Sequence, residues 1–183
     1  MPKILIPLAK GFEEIEAVAL IDVLRRAELN VVVAGIGTTK VSGAHNIEIH
    51  CECLVSEVKS DDLEMILLPG GWDGTYALAE DKNIQRLLQE MDAKNKLIGA
   101  ICAAPYALNK AGVLKHNYTC YPSVENEIRL EGYTEDKSVV TDGNIMTSRG
   151  PGTALCFALA IVEKFKGKEA AQALKKGMLL DFC

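Results

Sequence analysis

A chain of 183 residues is long enough for one well-buried domain and short for two. With 49% apolar and 25% charged residues it reads as an ordinary globular chain and not a disordered one. A formal net charge of −5 leaves no basic footprint for nucleic acid or an anionic membrane surface, so neither is an expected partner.

Met1-Pro-Lys-Ile-Leu-Ile-Pro-Leu8 enters a strand without the apolar core and cleavage site of a secretory signal, and no apolar run reaches membrane-spanning length. A cytoplasmic, reducing location is therefore expected, in which the cysteines at 51, 53, 102, 120, 156 and 183 stay free thiols. Residues 3–8 read as a buried strand, with Pro7 removing a ladder donor near its end. From Glu13 to Arg26 the apolar residues Ile15, Val18, Leu20, Val23 and Leu24 recur at helical spacing, with acids at the start and arginines at the end to suit the helix dipole. Residues 30–36 form a second buried strand, giving a β-α-β unit with a parallel pair.

Residues 41–54 read as a weaker hairpin or edge excursion, and 64–69 as a strand ending in Gly70-Gly71. Helical patterns cover 74–80 and 83–93, followed by a central strand at 96–101 and a helix after Cys102. Tyr118–Tyr121 reads as a strand, Val124–Leu130 as a helix, and 138–147 as two strands around an Asp142-Gly143-Asn144 turn. Helices to about Lys166 and over 168–179 complete a single domain spanning 1–183. The alternation of apolar strands with helices predicts a mostly parallel sheet covered on both faces.

In such a sheet ligands collect beyond the carboxyl ends of the strands. Three unusual stretches fall there: Gly11–Glu16, Pro69-Gly70-Gly71 and Cys102. Gly99, Ala100, Ala103 and Ala104 keep bulk away from Cys102, as a sharp nucleophile-bearing turn requires. At a helix N-terminus this cysteine is expected to have a lowered pKa. A buried cysteine ending a core strand is the plainer reading of the same residues. Gly70, Gly71 and Ala103 are candidate oxyanion donors and Glu16 a candidate proton carrier, although a Gly-Gly pair also serves as an ordinary turn and first-turn acids are usually surface complements to the dipole. Trp72 and Tyr121 are candidate rim residues.

Cys51 and Cys53 share a strand face if 47–54 is extended, with His50 opposite. They are too few for a structural zinc site, so no metal is expected, and they read as packing residues or a secondary redox pair. Cys120 and Cys156 read as core, and His116 as a solvated loop residue.

Leu8-Ala-Lys-Gly-Phe-Glu-Glu-Ile-Glu16-Ala, Leu67-Leu-Pro-Gly-Gly71, Ala100-Ile-Cys102-Ala-Ala-Pro105 and Thr147-Ser-Arg-Gly-Pro-Gly-Thr153 together resemble the ThiJ/PfpI superfamily, in particular its parkinsonism-associated deglycase subfamily with bacterial relatives. The resemblance runs in order along essentially the whole chain. It implies a flavodoxin-like α/β three-layer sandwich of the class I glutamine amidotransferase kind, a homodimer, and Cys102 as an oxidation-prone nucleophile contacted by a protonated Glu16. It also implies oxyanion donors at Gly70, Gly71 and Ala103, and a loop at Ser148–Pro151 that brings Arg149 and Pro151 near the rim. Ala103 stands where peptidase-like members carry a histidine, and Tyr121 where the human-type protein has one. His45 replaces an arginine near the dimer contact, and Trp72 replaces a common polar residue.

The implied function is a cofactor-independent glyoxalase or deglycase acting on small dicarbonyls such as methylglyoxal and glyoxal, or on their early adducts. The alternative is a redox sensor or holdase chaperone that uses the same oxidisable thiol without turnover. The sequence does not separate these two.

Overall fold

A computed structural model describes residues 3–183; Met1 and Pro2, at the start of the expected N-terminal segment, lie outside them. In chain order the elements are β1 (Lys3–Leu8), α1 (Glu14–Arg26), β2 (Asn30–Gly35), β3 (Lys40–Ser42), β4 (Glu48–His50), β5 (Cys53–Leu54), β6 (Leu63–Leu68), α2 (Trp72–Glu80), α3 (Lys82–Ala93), β7 (Leu97–Ile101), α4 (Pro105–Lys110), α5 (Glu125–Ile128), β8 (Val139–Asp142), β9 (Ile145–Ser148), α6 (Ala154–Lys166) and α7 (Lys168–Gly177). Seven strands form one sheet in the order β5-β2-β1-β6-β7-β9-β8, parallel except for β8, and β3 and β4 pair as a separate hairpin.

Period-two alternation divides the core between the sheet's two faces. Ile4, Ile6, Val31, Val33, Met65 and Leu67 pack with α1 and α6 on one face, while Leu5, Ile66, Leu68, Ile98 and Ala100 pack with α2, α3 and α4 on the other. This is the mostly parallel, flavodoxin-like α/β sheet with helices on both faces. Pro7 is tolerated because the β1–β6 register ends at Leu5↔Ile66, while the β1–β2 register continues to Leu8↔Gly35.

Four local expectations are corrected. Tyr118–Tyr121 is not a strand: Tyr118 makes only a single bridge to Tyr133, and the Thr119 and Tyr121 N–H groups are given to the Thr147 hydroxyl and the Cys102 carbonyl instead of a ladder. The helices expected over 124–130 and 168–179 are shorter, and Leu179 takes a left-handed φ of 57° that turns the chain back. His50 ends β4 whereas Cys53 lies in β5 on the main sheet, so Cys51 and Cys53 do not share one continuous strand. Burial pushes Cys51 up to about 11 and also raises Cys53, the reverse of what a reactive thiol pair needs.

The cysteines are also not all free. Cys156, on α6, is bonded to Cys183, with their Cα atoms 5.2 Å apart. The compartment argument considered environment and not topology: α7 packs back on α6, and buried Leu180 anchors the segment that returns Cys183 to α6. In the chain-entropy account a link across 27 residues stabilises the fold by about 3 kcal/mol. Urea unfolding should therefore find Cys183→Ser less stable than the parent by up to about 3 kcal/mol without reductant, and equal to it with reductant. Equal stability in both conditions would show that the bond carries none of it.

Candidate active site

The site is built from three loops at the carboxyl ends of β1, β6 and β7. After β1, Glu13 caps α1 by accepting the Glu16 N–H at 2.7 Å, and its own N–H donates to the Gly70 carbonyl at 2.9 Å. Capping fixes the direction of the first turn, which sends the Glu16 side chain inward, where it is fully buried. There Glu16 Oε2 accepts the Gly70 N–H at 2.7 Å, while Oε1 has no nitrogen or oxygen partner.

Gly70 is needed for close approach: a Cβ at this position would lie 2.6 Å from Cys102 Cβ and 2.8 Å from Glu16 Oε2. Gly71 has φ 88°, and a Cβ there would strike the Gly11 carbonyl oxygen. The turn reading of the Gly-Gly pair and the close-approach reading therefore both hold.

Cys102 has φ 65°, a left-handed conformation that costs a non-glycine residue about 1–3 kcal/mol. Its N–H donates to the Ser148 carbonyl at 3.1 Å, its carbonyl accepts the Tyr121 N–H at 2.9 Å, and Ala104 N–H closes the turn on Ile101 at 3.0 Å. These bonds hold a sharp elbow. The six-residue α4 begins only at Pro105, with proline in its first turn, so the thiol precedes the helix and does not cap it. The N–H groups of Gly71 and Ala103 face the sulfur.

The Cys102 thiol and the Glu16 carboxyl lie side by side around Gly70 and each shifts the other's proton affinity. Burial raises the Glu16 carboxyl to about 7, against the opposing pull of the Gly70 N–H and the thiol. Burial also pushes the half-buried thiol well above the ordinary thiol range, and the Glu16 carboxylate pushes it further, while the Gly71 and Ala103 amides pull it down. The expectation of a thiol lowered on its own is thus corrected: helix-terminus logic omits desolvation and a neighbouring anion. The two acids lie too close to ionise together, so near neutral pH the pair carries one negative charge.

Cys102, Glu16, Gly70, Gly71 and Ala103 therefore converge. Gly70 departs from its expected part because its N–H is already given to Glu16, which leaves Gly71 and Ala103 beside the sulfur. At the rim, the Tyr121 ring lies over Gly150, where a Cβ would be 3.2 Å from Tyr121 Cδ2, and half-buried Pro151 follows. Arg149 is turned toward the Tyr133 hydroxyl and the Glu135 carbonyl. Trp72 opens α2 and stacks on Tyr76. Sequence reasoning missed the cap at Glu13 and the grip of Ser148 on the elbow; the Glu13-x-x-Glu16 spacing signalled only the first.

Glu13, Glu14 and His45 offer ligand atoms within 4.8 Å of one another, but Glu13 serves the cap and both Glu14 oxygens engage His45. Burial favours the neutral form of Glu14, yet these His45 bonds hold its carboxyl below the usual range.

The profile of the DJ-1/PfpI family matches residues 2–164. Protein dj-1beta of Drosophila melanogaster is 42% identical over 181 residues, covering 97% of each chain. Its crystal structure superposes with a TM-score of 0.93 over 97% of both chains. A Caenorhabditis elegans protein named glutathione-independent glyoxalase DJR-1.2 is 38% identical over 169 residues, covering 92% of this chain and 90% of that one. Protein DJ-1 homolog A of Arabidopsis thaliana is 42% identical over 98% of this chain, which spans 46% of the plant protein's length. Among the described residues no helix is long and apolar enough to cross a membrane.

Proposed function

The chain belongs to the DJ-1/PfpI family, and on that premise we propose that it is a cofactor-independent glyoxalase converting small dicarbonyls such as methylglyoxal to hydroxy acids, with release of their early adducts from amines as a related deglycase activity. The observation that carries this reading is the contact between the Cys102 thiol and a buried carboxyl raised to about 7. A group with a pKa near working pH can both take and return a proton. The name of the worm relative, a glutathione-independent glyoxalase at 38% identity, supports the same chemistry.

In the proposed reaction Glu16 takes the S–H proton as sulfur adds to the aldehyde carbon, and the new oxyanion lies toward the Gly71 and Ala103 N–H groups. Glu16 returns that proton to the new oxyanion, then takes the proton from the former aldehyde carbon and delivers it to the neighbouring carbon while the hydroxyl proton passes to the second oxygen, giving a hydroxyacyl thioester. Water cleaves the thioester and releases lactate and the thiol. The balance is methylglyoxal plus water to lactate, with no external oxidant or reductant. The test is lactate formation from methylglyoxal in the presence of a chelator and without glutathione; no lactate from freshly reduced protein would reject the reading. The redox-sensor alternative draws on the same thiol and carboxyl, and mass spectrometry after mild peroxide beside the lactate assay separates the two.

We also propose a homodimer through α1 and the β3–β4 hairpin. Ile15, Val18 and Ile47 there are 61%, 48% and 55% exposed, large apolar side chains that the chain alone leaves uncovered. Sedimentation should show a dimer for the parent and a shift to monomer for Val18→Glu; unchanged sedimentation of that variant would place the interface elsewhere. The four free thiols suit a reducing compartment such as the cytoplasm, whereas the Cys156–Cys183 bond suits an oxidising one.

A further inference from the structure

Three aromatic rings stand in a row beside the site, and the chemistry above does not use them. Trp72 directly follows Gly71, whose N–H faces the sulfur, and stacks on Tyr76 with ring centroids 5.4 Å apart and planes 23° from parallel. Tyr76 meets Tyr106 edge-on at 5.5 Å. Tyr106 lies in the first turn of α4 and packs with Cys102 against the Ala103–Tyr118 cluster. The row is therefore tied at both ends, within one residue or one helical turn, to groups surrounding the thiol. Trp72 and Tyr76 remain 39% and 45% exposed. An indole fixed by a stacking neighbour yet open on its outer side is a preorganised platform for another flat ring.

We propose that Trp72, oriented by Tyr76, is a specificity-determining residue that favours dicarbonyls bearing a planar aromatic substituent, such as phenylglyoxal, over methylglyoxal. This rests on the reading of Cys102 as a nucleophile toward dicarbonyls. With the aldehyde carbon on sulfur and its oxygen toward the Gly71 and Ala103 amides, the proposal seats the substituent on the second carbonyl against the indole, because Trp72 directly follows Gly71 in the chain. Phenylglyoxal and water give mandelate by the same internal proton transfer and thioester cleavage, so no co-reactant is needed. Ring-on-ring contact should raise kcat/KM for the aromatic substrate by about three- to tenfold.

The test measures kcat/KM for phenylglyoxal and methylglyoxal in the parent, Trp72→Ala and Trp72→Phe. The aromatic-to-methyl ratio of kcat/KM should fall about three- to tenfold in Trp72→Ala and be largely retained in Trp72→Phe. An unchanged ratio in Trp72→Ala overturns the proposal and leaves the glyoxalase reading standing. Trp72 is the chain's one tryptophan, so its fluorescence reports the platform without turnover. Mandelate should change that fluorescence saturably where lactate at equal concentration does not. If the parent turns over neither substrate, the glyoxalase reading fails, and an equal or absent response to the two acids overturns the platform as well.

Discussion

Cys102→Ser is expected to reduce lactate formation from methylglyoxal by about ten-thousandfold or more while leaving the fold unchanged. The hydroxyl is nearly isosteric with the thiol, so the elbow bonds to Ser148 and Tyr121 should survive. What is lost is acidity and nucleophilicity. Glu16, at about 7, takes the proton of a thiol during attack far more readily than that of the much less acidic serine hydroxyl, and among the described residues none orients it toward an alcohol as a serine triad orients its base. Lactate assays on freshly reduced proteins check this, with circular dichroism confirming the fold. Turnover by the serine variant at a tenth of the parent rate or faster would remove Cys102 from the mechanism.

Glu16→Gln is expected to lower kcat/KM by about a hundred- to ten-thousandfold and to abolish the acid limb of the pH profile. In the parent, Glu16 must be ionised to take the first proton, so activity should fall as pH drops through about 7. Glutamine retains an oxygen for the Gly70 N–H and the approximate volume, which confines the change to proton transfer.

The same substitution has a stability consequence of opposite sign. A carboxyl raised from 4.5 to about 7 by burial binds its proton more tightly in the folded chain than in the unfolded one. Its contribution is fully present below pH 4.5 and is lost as pH rises to about 7, a cost of about 3 kcal/mol. Denaturation at pH 5 and 8 should show this loss in the parent and not in Glu16→Gln. Parallel pH dependence in the two proteins would contradict it. The site thus holds an ionisable group at the expense of stability, as functional sites commonly do.

Much of this was legible in the sequence because it depends on local rules. Strand alternation at Ile4-Leu5-Ile6 and Met65-Ile66-Leu67 assigns both core layers, and small residues around Cys102 mark the elbow. The four motifs made the family recognisable and brought Glu16 to the thiol. What stayed hidden depends on distance and burial. That the Gly70 N–H is given to Glu16 is a contact across 54 positions, and no local pattern records it. The direction of the Cys102 shift follows from desolvation, which spacing does not measure. The residues Tyr118–Tyr121 have strand composition, but the Thr119 and Tyr121 N–H groups are held by Thr147 and Cys102 around the elbow, so tertiary context overrides propensity. The Cys156–Cys183 bond required knowing that the segment after α7 returns to α6.

Alkylation of Cys102 as a function of pH, in the parent and in Glu16→Gln, probes most directly whether sulfur and carboxyl share one proton. Because ionised Glu16 takes the S–H proton during attack, the parent's reactivity should rise with an inflection near pH 7, where that carboxyl ionises, and in Glu16→Gln, where burial alone acts on the thiol, the inflection should move above the ordinary thiol value of about 9. Superimposable curves, or an inflection near 9 in both proteins, would contradict it.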